Sequence, residues 1–253
     1  MGDSNHYFDQ LTIVLHRPRF PENIGAVARA ACNMGISRLS LVAPENCDLS
    51  RILKMATRSA AHLIENTEVH PDLATALGPF HYVVGTTART GGQRQELKTP
   101  REIAEELMPI CATNQVALLF GPEDQGLTNA ELRHCHALVT IPTAGFSSLN
   151  LAQAVMILCY ELLLAGSKPI DRFVPRLANR RELEGMYEHL KETFIKISFI
   201  NTENPDSAMQ NIRRFFSRVG LRTRDVSMIR GICHQIDWYV QKRSEEMQQP
   251  ENE

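Results

Sequence analysis

The sequence predicts an α/β fold, with a mainly parallel sheet followed by a small helical C-terminal extension. Three observations carry this. Short β-like runs alternate with helical patterns up to about Gly166, the β pattern then stops, and three amphipathic helical patterns follow a linker with two prolines. Strands alternating with helices favour a parallel sheet covered on both faces, because parallel neighbours need a long crossover between them. The expected division is one domain over residues 1–166 and a linker with a helical extension over residues 167–253.

"LTIVLH" at residues 11–16 reads as the first strand. "FPENIGAVARAACNMG" at residues 20–35 reads as a helix of small residues that packs closely, with one cation, Arg29, in its middle. The positions three and four residues away are Gly25, Ala26, Cys32 and Asn33, so the helix offers Arg29 no carboxylate. That leaves a snorkelling or distantly paired side chain, or a cation kept free for a ligand. "RLSLVA" is the next strand, followed by a helix around residues 52–63. "HYVVGT" follows "PDLATAL", and "VALLFG" follows a helix beginning near Pro100. "ALVTIP" follows "TNAELRHC", where Thr128 and Glu131 have the spacing of a capping box. A long helix is expected over residues 149–164. Beyond the linker, "RELEGMYEHLKETFIKIS", "SAMQNIRRFFSRV" and "DVSMIRGICHQIDWYVQK" have helical amphipathicity. The final "SEEMQQPENE" is expected to fray.

With 43% hydrophobic and 22% charged residues, the composition is that of an ordinary globular protein. No apolar run approaches the roughly 20 residues of a membrane span; residues 152–165 come nearest and contain Gln153 and Glu161. Six scattered cysteines without a C-x-x-C pair lead to the expectation of a reduced, cytoplasmic protein. "HCH" at residues 134–136 reads as a helix end running into a strand, since successive side chains diverge, and no metal is expected. The net charge is −2. Acids outnumber bases up to Gly166, and the balance reverses afterwards. Between residues 211 and 230, Arg213, Arg214, Arg218, Arg222, Arg224 and Arg230 face a single acid, Asp225. An anionic partner is therefore expected at the tail.

Three strand exits resemble one another: "VVGTTAR", "LLFGPEDQGLT" and "VTIPTAGFSSLN". In parallel sheets, ligands gather at the carboxyl ends of the strands. Neither a G-x-G-x-x-G after the first strand nor a P-loop is present, so a usual dinucleotide or P-loop site is unsupported. Ser147, Ser148 and Asn150 precede a helix, where one of them suffices as a cap and three suggest a site. Gly121 permits close approach of a ligand and Glu123 offers a polar anchor. Arg89 is a further cation at a strand exit.

Taken in order, "NIGAVARA", "VVGTTAR", "FGPEDQGLT" and "IPTAGFSSLNLAQAV" resemble the SPOUT RNA methyltransferases of the SpoU/TrmH branch, and most closely the TrmJ-type tRNA 2′-O-methyltransferases. The tail segments "MYEHLKETFIKISFINTENP", "IRRFFSR" and "IRGICHQI" resemble that group's helical extension. The resemblance implies a C-terminal trefoil knot, a homodimer with sites completed across the interface, and S-adenosylmethionine as methyl donor. It implies cofactor walls at Thr86, Thr87, Ala88, Gly121, Ile141, Ser147, Ser148 and Leu149. Arg29 is implied at the target ribose, with Asn23, Glu123, Ser148 and Asn150 orienting Arg29, ribose or cofactor. The implied substrate is tRNA, methylated at the first nucleotide of the anticodon loop on cytidine or uridine. Ribosomal RNA, or a non-catalytic knotted RNA-binding role, is the alternative. Many relatives read "GRE" where this chain has "GPE", so Pro122 leaves a cation missing. Arg89, Arg214, Arg218 and Arg222 are the expected RNA contacts, with the last three on one face if their helix continues past Gly220.

Overall fold

The computed structural model describes residues 7–88, 96–145, 148–169, 172–201, 203–217 and 219–248. The expected positions Arg89, Ser147 and Arg218 lie outside these described residues. The chain divides into two compact units, Met1–Pro175 and Arg176–Glu253.

The first unit is built on seven parallel strands: β1 (Leu11–His16), β2 (Leu39–Val42), β3 (Glu68–His70), β4 (Tyr82–Thr86), β5 (Leu97–Lys98), β6 (Val116–Phe120) and β7 (Ala137–Val139). Their order across the sheet is β3-β2-β1-β6-β4-β7-β5. β6 lies between β1 and β4, with Ile13 and Val84 both in register with Leu118. β7 lies between β4 and β5 in the same way. The two central strands β1 and β6 are buried along their whole length, as expected for a sheet covered on both faces. β3 and β5 were not among the expected strands. They are only three and two residues long, at the sheet's two edges, and carry no apolar run.

The helices of this unit are α1 (Pro21–Asn33), α2 (Leu49–Glu65), α3 (Leu73–Leu77), α4 (Pro100–Cys111), α5 (Asn129–Leu132) and α6 (Leu151–Gly166). Thr99 and Glu102 close a capping box on α4, and Thr128 and Glu131 close the expected one on α5. The small residues of α1 serve close packing. A Cβ on Gly25 would lie 2.1 Å from the Ile52 carbonyl oxygen and 2.9 Å from Met55 Cβ, both on α2. "HCH" is the junction between α5 and β7: Cys135 is buried, and His136 Nδ1 accepts the Val83 backbone N–H at 3.0 Å while its ring stacks on Tyr82. Burial pushes the Cys111 and Cys159 thiols up to about 12, because a thiolate loses its hydration there.

The start of the predicted linker belongs to this unit. Thr113 Oγ1 donates to the Val174 carbonyl at 2.7 Å, and Asn114 Nδ2 to that of Pro175 at 3.3 Å. The second unit holds α7 (Arg180–Lys196), α8 (Pro205–Ser217) and α9 (Thr223–Gln248) around Leu183, Met186, Leu190, Met209, Val226 and Cys233. Two expectations need correction here. α8 ends at Ser217, so Arg222 lies in the connection to α9 and does not extend the face of Arg214. The fraying expected from Ser244 is not seen through Gln248, where α9 continues and Gln241 Nε2 donates to Glu245 Oε1 one turn on. No helix among the described residues is long and apolar enough to cross a membrane.

The α1–α2 contact yields a direct test. Gly25→Ala should cost about 1–3 kcal/mol, the usual penalty for overpacking a close backbone contact. Urea unfolding reads this as a lower midpoint; an unchanged midpoint would show that the two helices part without strain.

Candidate active site

Three strand exits meet in one cavity of about 260 Å³. Thr86, Thr87 and Ala88 enter it from β4, residues 120–127 from β6, Val139 and Ile141 from β7, and Ser148, Leu149, Leu151 and Ala154 from the start of α6. Every predicted cofactor-wall residue in a described position lines it. Leu127, Val139, Leu151 and Ala154 were not predicted; as ordinary apolar residues they carry no local signal. The walls combine apolar side chains with backbone and hydroxyls and, on the loop after β6, the polar residues Glu123, Asp124 and Gln125. Thr86 Oγ1 donates to the Leu119 carbonyl at 3.2 Å, and the Thr87 N–H to that of Val139 at 2.9 Å. Ser148 is exposed and makes no hydrogen bond with the described residues.

The loop after β6 shapes the cavity's outer wall. The Gly126 N–H donates to the Pro122 carbonyl at 2.8 Å, closing a tight turn, and Gly126 takes φ +64°, which favours glycine. Gly121 is needed within the loop itself. A Cβ there would lie 2.4 Å from both the Gly126 carbonyl carbon and the Leu127 nitrogen. The close approach it permits is backbone on backbone within the loop.

Glu123 ties this loop to the start of α1. Its Oε2 accepts the Arg19 N–H at 3.0 Å, and its Oε1 accepts the Phe20 N–H at 3.4 Å and Asn23 Nδ2 at 2.8 Å. Phe20 is the N-cap of α1 and has no capping side chain, so a carboxylate from another loop stands at this helix terminus. The chain continues: Asn150 Nδ2 donates to Asn23 Oδ1 at 3.0 Å. Asn150 is also the N-cap of α6, accepting the Ala152 N–H at 2.9 Å and forming a capping box with Gln153. The cap reading of Asn150 holds, and the same side chain also reaches Asn23, because it has an oxygen for the helix and an amide for Asn23.

Arg29 is not part of that chain. It is exposed, makes no hydrogen bond or ion pair with the described residues, and borders a separate groove with Ala26, Ala30, Met55, Ala152 and Met156. Leu149 borders both groove and cavity. Sequence reasoning missed Arg19, whose Nη1 pairs with Asp124 Oδ2 at 2.6 Å and whose Nε pairs with Glu45 Oε2 at 3.2 Å. It also missed His16, at the end of β1. Burial holds its imidazole below the ordinary value, against the pull of Glu131 and with Arg17 adding to the effect. His16 Nδ1 lies 3.3 Å from Glu131 Oε1 without hydrogen-bond geometry. Among the tail arginines, Arg213 is paired with Glu184 and stacked over Tyr187 at 4.4 Å. Arg214 is half-buried, Arg222 is exposed, and neither side chain pairs with the described residues.

A parallel sheet with a cavity across three neighbouring strand exits defines a class, and comparison with known proteins agrees. The SpoU rRNA Methylase family matches residues 10–160, and the C-terminal domain of tRNA methyltransferase TrmJ matches residues 181–250. The chain is 37% identical over 238 residues to the tRNA (cytidine/uridine/adenosine-2′-O-)-methyltransferase TrmJ of Pseudomonas aeruginosa (strain UCBPP-PA14), spanning 88% of this chain and 92% of that protein. It is 36% identical over 233 residues to the tRNA (cytidine/uridine-2′-O-)-methyltransferase TrmJ of Sodalis glossinidius, spanning 90% and 91%. The crystal structure of TrmJ from Z. mobilis ZM4 superposes with a TM-score of 0.76 at 30% identity, over 89% of this chain and 98% of that one. The chain belongs to the SpoU methylase family and, within it, to the TrmJ group.

The loop geometry separates two roles for Gly121. Gly121→Ala should lower the thermal unfolding midpoint of the ligand-free protein, by the equivalent of about 1–3 kcal/mol, because the clash is internal. A glycine needed only for ligand entry would leave that midpoint unchanged.

Proposed function

We propose that this chain transfers a methyl group from S-adenosylmethionine to a ribose 2′-oxygen of tRNA, at the first nucleotide of the anticodon loop, on cytidine or uridine. The observation that carries this is the single cavity at the exits of β4, β6 and β7, with the Glu123–Asn23–Asn150 chain tying two of its walls to α1. The cavity suits the cofactor chemically: Leu127, Ile141 and Leu149 offer apolar surface for a purine, and strand-exit backbone and the Ser148 hydroxyl offer hydrogen bonds. When bound, the cofactor supplies an activated methyl on a sulfonium.

The protein then has two tasks, to position the ribose hydroxyl and to manage its proton. Arg29 suits the ribose and its phosphate, because its guanidinium has no carboxylate partner among the described residues and can meet phosphate bidentately. A guanidinium keeps its proton at neutral pH and is a poor base. Its role here is to stabilise charge developing on the 2′-oxygen, with the proton leaving through phosphate or water. Asn23 and Asn150 set the start of α1 against the start of α6, and so hold the helix that carries Arg29.

A homodimer belongs to the same proposal. α6 is apolar on both faces: Leu158 and Leu162 are buried in the unit, Tyr160, Leu163 and Leu164 remain exposed, and Met156 and Ile157, one turn before Tyr160, border the Arg29 groove. A second copy seated there would bring its own residues to Arg29. A knotted C-terminal passage is supported by the entry of β6 and β7 between strands formed earlier in the chain. Arg214 and Arg222 are proposed phosphate contacts, joined by Arg89 and Arg218.

Three experiments test this reading. Arg29→Ala should lose most methyl transfer, roughly 100-fold or more on the scale of a lost electrostatic donor, with cofactor affinity little changed. Arg29→Lys should also be poor, and near-normal turnover by either variant would return Arg29 to a packing role. Methylated nucleotides mapped in RNA from a deletion strain should identify the tRNA position; loss from ribosomal RNA instead would redirect the substrate. For the tail, Arg214→Gln with Arg222→Gln should weaken tRNA binding and flatten its salt dependence without moving the methylated nucleotide. A double variant with unaltered affinity at several salt concentrations would exclude the phosphate role.

A further inference from the structure

Arg19 joins three acidic residues from two separate stretches of chain. Its side chain spans Asp124 and Glu45, and its backbone N–H is held by Glu123. Asp124 and Glu123 both lie in the loop that forms the cavity's outer wall. Hydrogen bonds from Arg19, Phe20 and Asn23 reach the side chains of this loop from the start of α1. The turn's own closure, Gly126 N–H to Pro122, holds its shape but does not fix it to the rest of the protein. Position 122 is a proline and offers no donor, so the loop supplies acids and the segment before α1 supplies the cation.

We propose that Arg19 is a positioning residue that latches the outer wall of the cavity and thereby sets cofactor affinity. This rests on the cofactor reading of the cavity given above. Arg19 does not itself line the cavity; it acts through Asp124, which does. The side chains of Arg19, Asp124 and Glu45 are each about two-fifths exposed, so salt screens the latch without abolishing it. One exposed pair contributes little alone, but a shared guanidinium whose backbone is also fixed loses less freedom on pairing.

The test uses the full chain, Arg19→Gln, Asp124→Asn and the double variant. Calorimetry should show each single variant binding S-adenosylmethionine and S-adenosylhomocysteine more weakly, roughly three-fold, as suits a partly exposed pair. The double variant should be no worse than either single one, since both remove the same contact. Raising salt should weaken binding by the parent and have less effect on Arg19→Gln. Amide exchange in the ligand-free proteins supplies an independent readout: residues 123–127 should exchange faster in Arg19→Gln than in the parent. A parent that binds no cofactor would defeat the functional reading, while the exchange result would still decide whether Arg19 latches the loop. Unchanged exchange, additive losses, or cofactor affinity insensitive to both single substitutions would overturn the proposal.

Discussion

The Glu123 carboxylate is the constraint on which the site depends. It gathers the N–H groups of Arg19 and Phe20 and the amide of Asn23, and through Asn23 it reaches Asn150. These contacts join the turn after β1 and the start of α1 to the loop after β6 and the N-terminus of α6, 100 and 127 residues further along the chain from Asn23. A hydrogen bond to a charged acceptor contributes roughly 1.5–3 kcal/mol, less where water competes, so this carboxylate can hold helix α1 at a terminus that has no capping side chain of its own. The sheet brings the three exits side by side, and the Glu123 chain fixes their spacing.

Around that constraint, each element has a packing reason as well as a site reason. Gly25 lets α1 lie directly against α2, which fixes the helix from which Arg29 projects. Gly121 lets the loop after β6 fold back on itself at Leu127, whose side chain then joins the apolar cluster beneath. Arg29 stays exposed and without a protein partner among the described residues, whereas Arg19, ten residues earlier, is fully engaged. That contrast fits the proposed division of work between the two cations, Arg19 holding the protein and Arg29 kept for a ligand.

Much of this was legible in the sequence, where the signal was local. Runs such as "LTIVLH" and "VALLF" are buried throughout, and apolar composition reveals such strands. The T-x-x-E spacing at Thr128 is a short-range pattern and formed as read. β3 and β5 were illegible because edge strands of two or three residues carry too few side chains to show a period. The Arg19–Asp124 pair spans 105 residues and leaves no trace in spacing. Gly121 was visible as a position needing space, but a sequence does not say whether backbone or ligand fills it. The arginine tally at the tail erred for the same reason: Arg213 finds its acid, Glu184, on another helix. Ser217 ends α8 before the expected row of cations is complete.

The central claim is that the exits of β4, β6 and β7 form the cofactor cavity and that Glu123, Asn23 and Asn150 hold it in shape. A crystal structure with S-adenosylhomocysteine tests it most directly. The account predicts density for the ligand against Thr86, Ile141 and Leu149, with both amide contacts of Asn23 intact and Arg29 outside the cavity. Ligand bound elsewhere on the chain, or bound here with the Glu123–Asn23–Asn150 chain broken, would contradict it.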